Sequence, residues 1–446
     1  MRIRNRDRFF LFTYFITIIL LGSFLLWLPP AWRGPQRLAY VDALFTSTSA
    51  VCVTGLTSVD TSLYSGFGKL VIILLIQFGG LGIITFMTIF LANPRGKISL
   101  ASRKLIGDYY VSSIEANPRK IIRSVVLFTL AIELAGALVM FPVFRQTVGR
   151  RAGFHALFHA VSAFCNAGFS TFGNNLESYV ADPTVNLTVM ALIILGGLGF
   201  VVMEDLMERA LGRRRRLALH TKLVLAMTSG LILGGAALFL LLEWGRGYSA
   251  LTPAQKVMAA LFQAVTPRTA GFDTVPQSSL SFPSRAFTLF LMYVGASPAS
   301  TGGGIKTTTF FIILVMILRG AEAREDVRLL GRKLSPLSVS RGMMFALRAL
   351  AIVAVAAFLL TISELLVRPA PAEYKYFLAI LFETFSAFGT VGLSLGLTPY
   401  LTVLGKCIII LTMFSGRVGM SALAISTPRR LPRQVVDFPE EEVLIG

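Results

Sequence analysis

The sequence predicts an all-α integral membrane protein: eight transmembrane helices in four helix–pore loop–helix repeats about a pseudo-fourfold axis. Three observations lead there. Apolar runs long enough to cross a bilayer recur along the chain. Positive charge gathers in alternate connecting segments. One short motif appears four times, in step with the hydropathy.

Of the 446 residues, 54% are apolar and only 15% charged, with a mean hydropathy of +0.71. A soluble chain carries nearer ~25% charged residues. Spanning ~30 Å of hydrocarbon takes roughly 20 apolar residues. Runs of that kind cover Phe9–Leu28, Leu70–Ala92, Ile121–Val143, Val185–Leu206, Leu223–Glu243, Phe287–Leu318 (interrupted), Leu347–Val367 and Leu404–Ile425. The first follows a basic start, as in a signal peptide, but it is longer than a typical signal core and no small-x-small cleavage site follows. It is expected to remain as the first helix.

The net charge is +19. With the N-terminus in the cytoplasm, 27 of the 42 Lys and Arg fall in the N-terminus and the segments near 92–123, 203–222, 319–348 and 420–446. That asymmetry follows the positive-inside rule. The run Arg213–Arg216 then reads as a stop signal touching membrane lipid headgroups, and the charge calls for no nucleic acid. Cys52, Cys165 and Cys407 have neither metal nor disulfide-framework spacing. His155 and His159 are four apart, but Ala156 stands where a zincin needs Glu.

The recurring segments are ALFTSTSAVCVTGL (Ala43–Leu56), ALFHAVSAFCNAGF (Ala156–Phe169), ALFQAVTPRTAGF (Ala260–Phe272) and ILFETFSAFGTVGL (Ile380–Leu393). In each, Leu-Phe precedes a polar residue: Thr46, His159, Gln263 or Glu383. Each ends on a glycine and a bulky apolar residue, and the glycines Gly55, Gly168, Gly271 and Gly392 lie 113, 103 and 121 residues apart. The third copy is one residue shorter between Phe and Gly, which leaves its register open. The repeats divide the chain at 1–93, 94–217, 218–334 and 335–446, the third with an interrupted second helix and the fourth with a C-terminal tail. Each motif begins as a half-helix. Asp42 is expected to cap the first, and Thr252-Pro253 supplies a cap and first-turn proline for the third. Such segments are too short to span, so each enters and leaves by the outer face.

Irregular backbone at membrane depth requires burial in protein or a water-filled lining. Four copies around one axis provide such a lining. Each half-helix points its partly negative C-terminal end at the centre, which favours a cation. Backbone carbonyls from four strands then replace the ion's hydration shell. The side chains just before the glycines, Thr54, Asn166, Thr269 and Val391, differ in character, as carbonyl coordination allows. The layout predicts a cation pore.

The stretch SPASTGGGIK (Ser297–Lys306) interrupts the second apolar run of repeat three, 31 residues beyond Gly271 or thereabouts. Pro298 and Gly302–Gly304 break the helix there, and a broken membrane helix borders a cavity or site. It is no nucleotide-binding P-loop: Ile305 separates Gly304 from Lys306, and no strand precedes it. GGLG at residues 79–82 and 196–199 lacks the third glycine of a dinucleotide fingerprint, with Thr85 and Val202 in its place.

These motifs resemble the Trk/Ktr/HKT superfamily of potassium transporters. QFGGLG (Gln77–Gly82), LGGLGF (Leu195–Phe200), TPRTAGF (Thr266–Phe272), ETFSAFGTVGL (Glu383–Leu393) and GRVG (Gly416–Gly419) carry the resemblance, which covers nearly the whole chain and is nearest the bacterial Ktr type. It implies potassium uptake through a selectivity filter lined by Cys52, Val53, Thr54 and Gly55; Cys165, Asn166, Ala167 and Gly168; Arg268, Thr269, Ala270 and Gly271; and Gly389, Thr390, Val391 and Gly392. Some plant relatives have Ser at the first glycine, so Gly55 argues for potassium over sodium. The resemblance also implies a gate in which an intramembrane loop containing Gly302, Gly303, Gly304 and Lys306 acts with Arg417 beneath the filter. It implies a homodimer in the bacterial cytoplasmic membrane, docked on a cytosolic nucleotide-binding regulatory ring touched by Arg319–Arg341 and Arg213–Lys222. The tail Pro439–Gly446 would end near the dimer interface. Potassium would be the only ion held, with no nucleotide site in this chain. The competing expectation is a symporter coupling potassium to sodium or protons through Glu133, Glu364 or Glu383. No HExxH or GxSxG motif supports an enzyme.

Overall fold

In the computed structural model, residues 2–92, 118–213, 216–319, 328–329, 332–333, 336–367 and 373–419 are described. The tail Pro439–Gly446 and most of the 319–341 segment lie outside them, as do Arg214 and Arg215.

Four long helices each precede one copy of the recurring motif, and the segments they open keep the repeat numbers expected from the sequence: α1 (Arg2–Trp27), α4 (Pro118–Val148), α8 (Leu219–Glu243) and α12 (Pro336–Leu365). Each is followed by a short helix: α2 (Tyr40–Val51), α5 (Ala152–Phe164), α9 (Pro253–Val265) and α13 (Glu373–Gly389). An irregular strand then leads to a second helical segment. In repeat one this is α3 (Gly66–Ala92). In repeat two it is α6 (Pro183–Leu198) with α7 (Phe200–Ala210), and in repeat three α10 (Phe282–Tyr293) with α11 (Thr307–Arg319). In repeat four it is α14 (Val403–Phe414), running into a π turn at Ser415–Gly419. One departure from all-helical structure is a pair of two-residue strands, Arg328–Leu329 and Arg332–Lys333.

The short helices start where local chemistry directs. Thr252 and Gln255 form a full capping box ahead of α9, with the Thr252 amide donating to Gln255 Oε1 at 3.0 Å. The expected Asp42 cap is corrected: α2 begins earlier, after Ala39, and Asp42 sits inside its first turn. There its carboxylate suits the positive helix end and binds Lys406 Nζ at 2.6 Å, joining repeat four to repeat one.

Among the described residues, four helices are long and apolar enough to cross a membrane, within Phe9–Trp27, Ile122–Phe164, Leu219–Glu243 and Val339–Leu365. Of the other runs, Leu70–Ala92 lies within the 27-residue α3, those of repeats two and three are broken, and Leu404–Ile425 is described only as far as Gly419. The expectation of one helix over Val185–Leu206 is corrected: the chain bends by 102° between α6 and α7. The pivot is Gly199, whose φ of 87° and ψ of 147° suit glycine and little else. The break in repeat three falls where Pro298 and the glycine run place it, between Tyr293 and Thr307.

Candidate functional site

The four short helices converge by their C-terminal ends, and the glycines that follow form a closed ring. A Cβ added to Gly55 would meet the Ala167 carbonyl at 2.5 Å, and one on Gly168 would meet that of Ala270 at 2.8 Å. One on Gly271 would strike the Val391 carbonyl, and one on Gly392 that of Thr54, which returns the circuit to its start. No side chain fits between these strands.

The strand conformation repeats as well. Two residues before each glycine stands a non-glycine residue with positive φ: Val53 (56°), Asn166 (58°), Thr269 (74°) and Thr390 (50°). The glycines are left-handed too, at 93°, 68°, 76° and 97°, while the residue between has ordinary φ. In an extended strand successive peptide groups face opposite ways. Alternating left- and right-handed residues instead turn successive carbonyls to the same side, at a conformational cost for the four non-glycine residues.

Hydrogen bonds from the short helices hold these turns. The amides of Thr54, Ala167 and Val391 donate to carbonyls five residues back, those of Ser49, Ser162 and Ser386, at 2.7–2.8 Å. In repeat three Ala270 N bonds to Thr266 O, four residues back, at 3.0 Å. The missing residue is therefore lost inside the turn, and Thr269 and Gly271 keep the register of the other copies. The same four hydroxyl residues brace the strand by side chain. Ser49 and Ser386 accept from the Gly55 and Gly392 amides at 3.0 Å, while Ser162 and Thr266 donate to the carbonyls of Phe169 and Phe272. The sequence pattern had not singled them out, although each copy carries a hydroxyl six residues before its glycine, five in the third.

The strand residues Cys52, Val53, Thr54, Cys165, Asn166, Ala167, Thr269, Ala270, Thr390 and Val391 are buried, and Gly389 packs against the Met292 carbonyl. Arg268 contributes backbone only: its guanidinium turns away to Thr228 of α8, 3.4 Å off. Beyond the ring, Asp273 is partly buried; desolvation, with the Glu177 carboxylate adding to it, pushes its carboxyl up to about 7.

The interruption of repeat three lies against the inner ends of these strands. Its two ends pair with each other, Gly295 N to Ile305 O at 2.8 Å and Thr307 N to Ala296 O at 3.3 Å, so the loop is compact. At its tip Thr301 Oγ1 meets the Asn166 amide group at 2.9 Å and the Phe164 carbonyl at 3.3 Å. Gly303 N donates to Thr390 Oγ1 at 3.1 Å, and a Cβ on Gly302 would strike Thr269 Oγ1. Three of the four strands thus touch this loop through the residue two before the glycine. Lys306 Nζ folds back onto the Gly302 carbonyl at 2.6 Å.

Two further elements hold the loop. The Arg417 guanidinium, buried in the π turn, donates to the Thr301 carbonyl and reaches the Gly79 carbonyl of α3 at 3.4 Å. The end of α6 supplies carbonyls that a helix terminus leaves open: Gly197 accepts from Ser297 N at 3.0 Å and Gly196 from Thr301 N at 3.3 Å, while Phe200 N of α7 donates to Ala299 O at 3.2 Å. The bend at Gly199 therefore cradles the loop.

The candidate coupling carboxylates have other bonds. Glu133 accepts from Gln77 Nε2 at 2.8 Å, with Cys165 Sγ 3.8 Å away. Glu364 accepts from the Thr402 amide and hydroxyl at 3.0 and 2.8 Å, and Glu383 from the Ser394 and Thr398 hydroxyls.

The chain is 41% identical to Ktr system potassium uptake protein B of Bacillus subtilis, covering 97% of this chain and 95% of that one. It is 36% identical to the potassium/sodium uptake protein NtpJ of Enterococcus hirae, with the same coverage. The crystal structure of the potassium transporter TrkH from Vibrio parahaemolyticus shares its fold, with a TM-score of 0.72 at 19% identity over 95% of this chain and 85% of that one. These are cation transporters, not enzymes, and the apolar helices fit a multi-pass membrane protein. The profile of the TrkH cation transport proteins matches residues 4–436, and the chain belongs to that family.

Proposed function

We propose that this chain takes up potassium across the bacterial cytoplasmic membrane, its N-terminus in the cytoplasm, through a filter built from four repeats around a pseudo-fourfold axis. The observation that carries this is the closed ring of Gly55, Gly168, Gly271 and Gly392 on strands of alternating handedness. Carbonyls turned to one side replace a dehydrated cation's water without placing a full negative charge in the path. The ion moves down its electrochemical gradient, and no covalent step is involved. The name of the Bacillus relative supports potassium as the cargo; that of the Enterococcus relative covers potassium and sodium.

The loop at Gly302–Gly304 is the gate in this reading. It stands against the filter's inner ends, and Arg417 and Lys306 bring two positive charges to the same region, where they oppose a passing cation. Displacing the loop would open the path. By the family resemblance, the working unit is a homodimer docked on a cytosolic nucleotide-binding ring; any nucleotide response would come from that partner.

The test is passive flux into liposomes holding the purified chain, comparing potassium, rubidium and sodium under an imposed voltage. Voltage-driven flux favouring potassium and rubidium, with no other ion gradient, is the expected result. Uptake that appears only with a sodium or proton gradient would replace this reading by symport, with Glu133 the first carboxylate to replace because it lies beside Cys165 of the filter.

A further inference from the structure

The polar residue that follows Leu-Phe in each motif does the same thing in all four repeats. It is buried on the short helix and hydrogen-bonds to the chain that has just left the filter. Thr46 accepts from the Tyr64 hydroxyl at 3.1 Å. His159 Nε2 pairs with Ser170 Oγ at 2.9 Å. Gln263 and Gln277 exchange two amide hydrogen bonds, at 2.9 and 3.1 Å. Glu383 takes the hydroxyls of Thr398, at 2.7 Å, and Ser394. The partners are chemically unrelated and stand at different distances beyond the glycine, yet each bond joins the short helix to the outgoing chain.

Each filter strand is thus fixed at both ends. The helix C-terminus holds its inner end, and this bond holds the segment beyond its outer end. A carbonyl cage tells potassium from sodium only while it resists closing around the smaller ion, or keeps its number of coordinating dipoles; either account needs the strands held. Buried hydrogen bonds in a low-dielectric surround are stiff restraints, and Glu383 makes two of them, one through each carboxyl oxygen.

We infer that these four side chains are positioning residues for ion selectivity, acting through the outer filter backbone, with Gln263–Gln277 and Glu383–Thr398 as the principal restraints. The inference rests on the transport reading above and adds to it residues that never meet the ion. The amide pair is reciprocal, so losing either partner loses the whole restraint.

The experiment is a double-mutant cycle in liposomes with Gln263→Leu, Gln277→Leu and the pair together, read as the ratio of rubidium to sodium flux. Each single replacement should lower that ratio about tenfold, the worth of one well-placed hydrogen bond, and the double variant should fall no further. Glu383→Ala should lower it similarly, while Glu383→Gln, which keeps an acceptor, should recover part of it. Additive losses in the cycle, or reduced protein yield with an unchanged ratio, would overturn the inference. If the Leu variants do not fold, Glu383→Ala decides: a ratio equal to that of the unaltered chain, with transport intact, overturns it as well. An unaltered chain that shows no preference for rubidium would instead sink the transport reading itself.

Discussion

The guanidinium of Arg417 donates a hydrogen bond to the backbone carbonyl of Thr301, 116 residues away in the chain. That bond ties the π turn at Ser415–Gly419 to the Ser297–Lys306 loop, directly against the strands that carry the glycine ring. A hydrogen bond from a charged donor contributes about 1.5–3 kcal/mol. Arg417→Gln removes both the charge and part of the restraint, so rubidium flux through the chain in liposomes should rise tenfold or so at least. Flux equal to that of the unaltered chain would show that Arg417 only supports the fold.

Deleting Gly302–Gly304 attacks the same loop from within. The deletion removes the segment that touches Thr269 and Thr390, so flux should rise and stop responding to whatever normally regulates it. Unchanged flux with unchanged regulation would count against the loop as gate.

Gly199 offers an approach from outside the loop. A Cβ there would lie 2.5 Å from the Pro298 carbonyl, on a backbone with φ of 87°. Gly199→Ala should cost about 1–3 kcal/mol in this conformation and relieve it by pushing the loop from its cradle. Higher flux is expected here too, without any change to the loop's own sequence. Reduced flux in well-folded protein would mean that the bend positions the filter rather than the loop.

The uneven legibility of this chain has physical causes. Hydropathy and the recurring motif are chemical patterns written on the residues, so the apolar helices, the positive-φ glycines and the break at SPASTGGGIK could be read directly. Thr252-Pro253 was legible as a helix start because capping is local. Asp42 misled because its partner, Lys406, lies 364 residues away, and no local rule reports that. The bend at Gly199 was hidden inside an unbroken apolar run: hydropathy measures where a segment sits and says nothing of whether it is straight. Ser49, Ser162, Thr266 and Ser386 were overlooked for a different reason. Hydroxyls in a helix usually bond to their own preceding turn, and only the left-handed turn ahead gives these four another partner. The short third copy needed the structure as well, since a turn can lose one residue while the strand beyond it keeps its direction.

Replacing a ring glycine tests the proposed filter more directly than the proposed gate. Gly55→Ser introduces a side chain into a position with φ of 93° and a carbonyl 2.5 Å from the new Cβ. The strand must shift, and in the proposed filter the carbonyl cage would distort with it. The ratio of potassium to sodium flux should drop about tenfold or more, consistent with a strain of roughly 1–3 kcal/mol at such a residue. An unchanged ratio would remove Gly55 from the filter.

The ring must also close between its last repeat and its first, and the Lys406–Asp42 ion pair lies at that seam. Its groups are 2.6 Å apart and only 13% and 14% exposed. Removing one member leaves the other charge poorly hydrated, which costs several kcal/mol at a fully buried site and much less at an exposed one. For a pair exposed to this extent, Lys406→Met should lose about 1–2 kcal/mol, seen as a lower Tm in detergent. Asp42→Asn together with Lys406→Met removes both charges and should restore most of that loss, because no unpaired carboxylate remains. If the double variant is no more stable than Lys406→Met, the seam is held by packing between α14 and α2, and the ion pair contributes little.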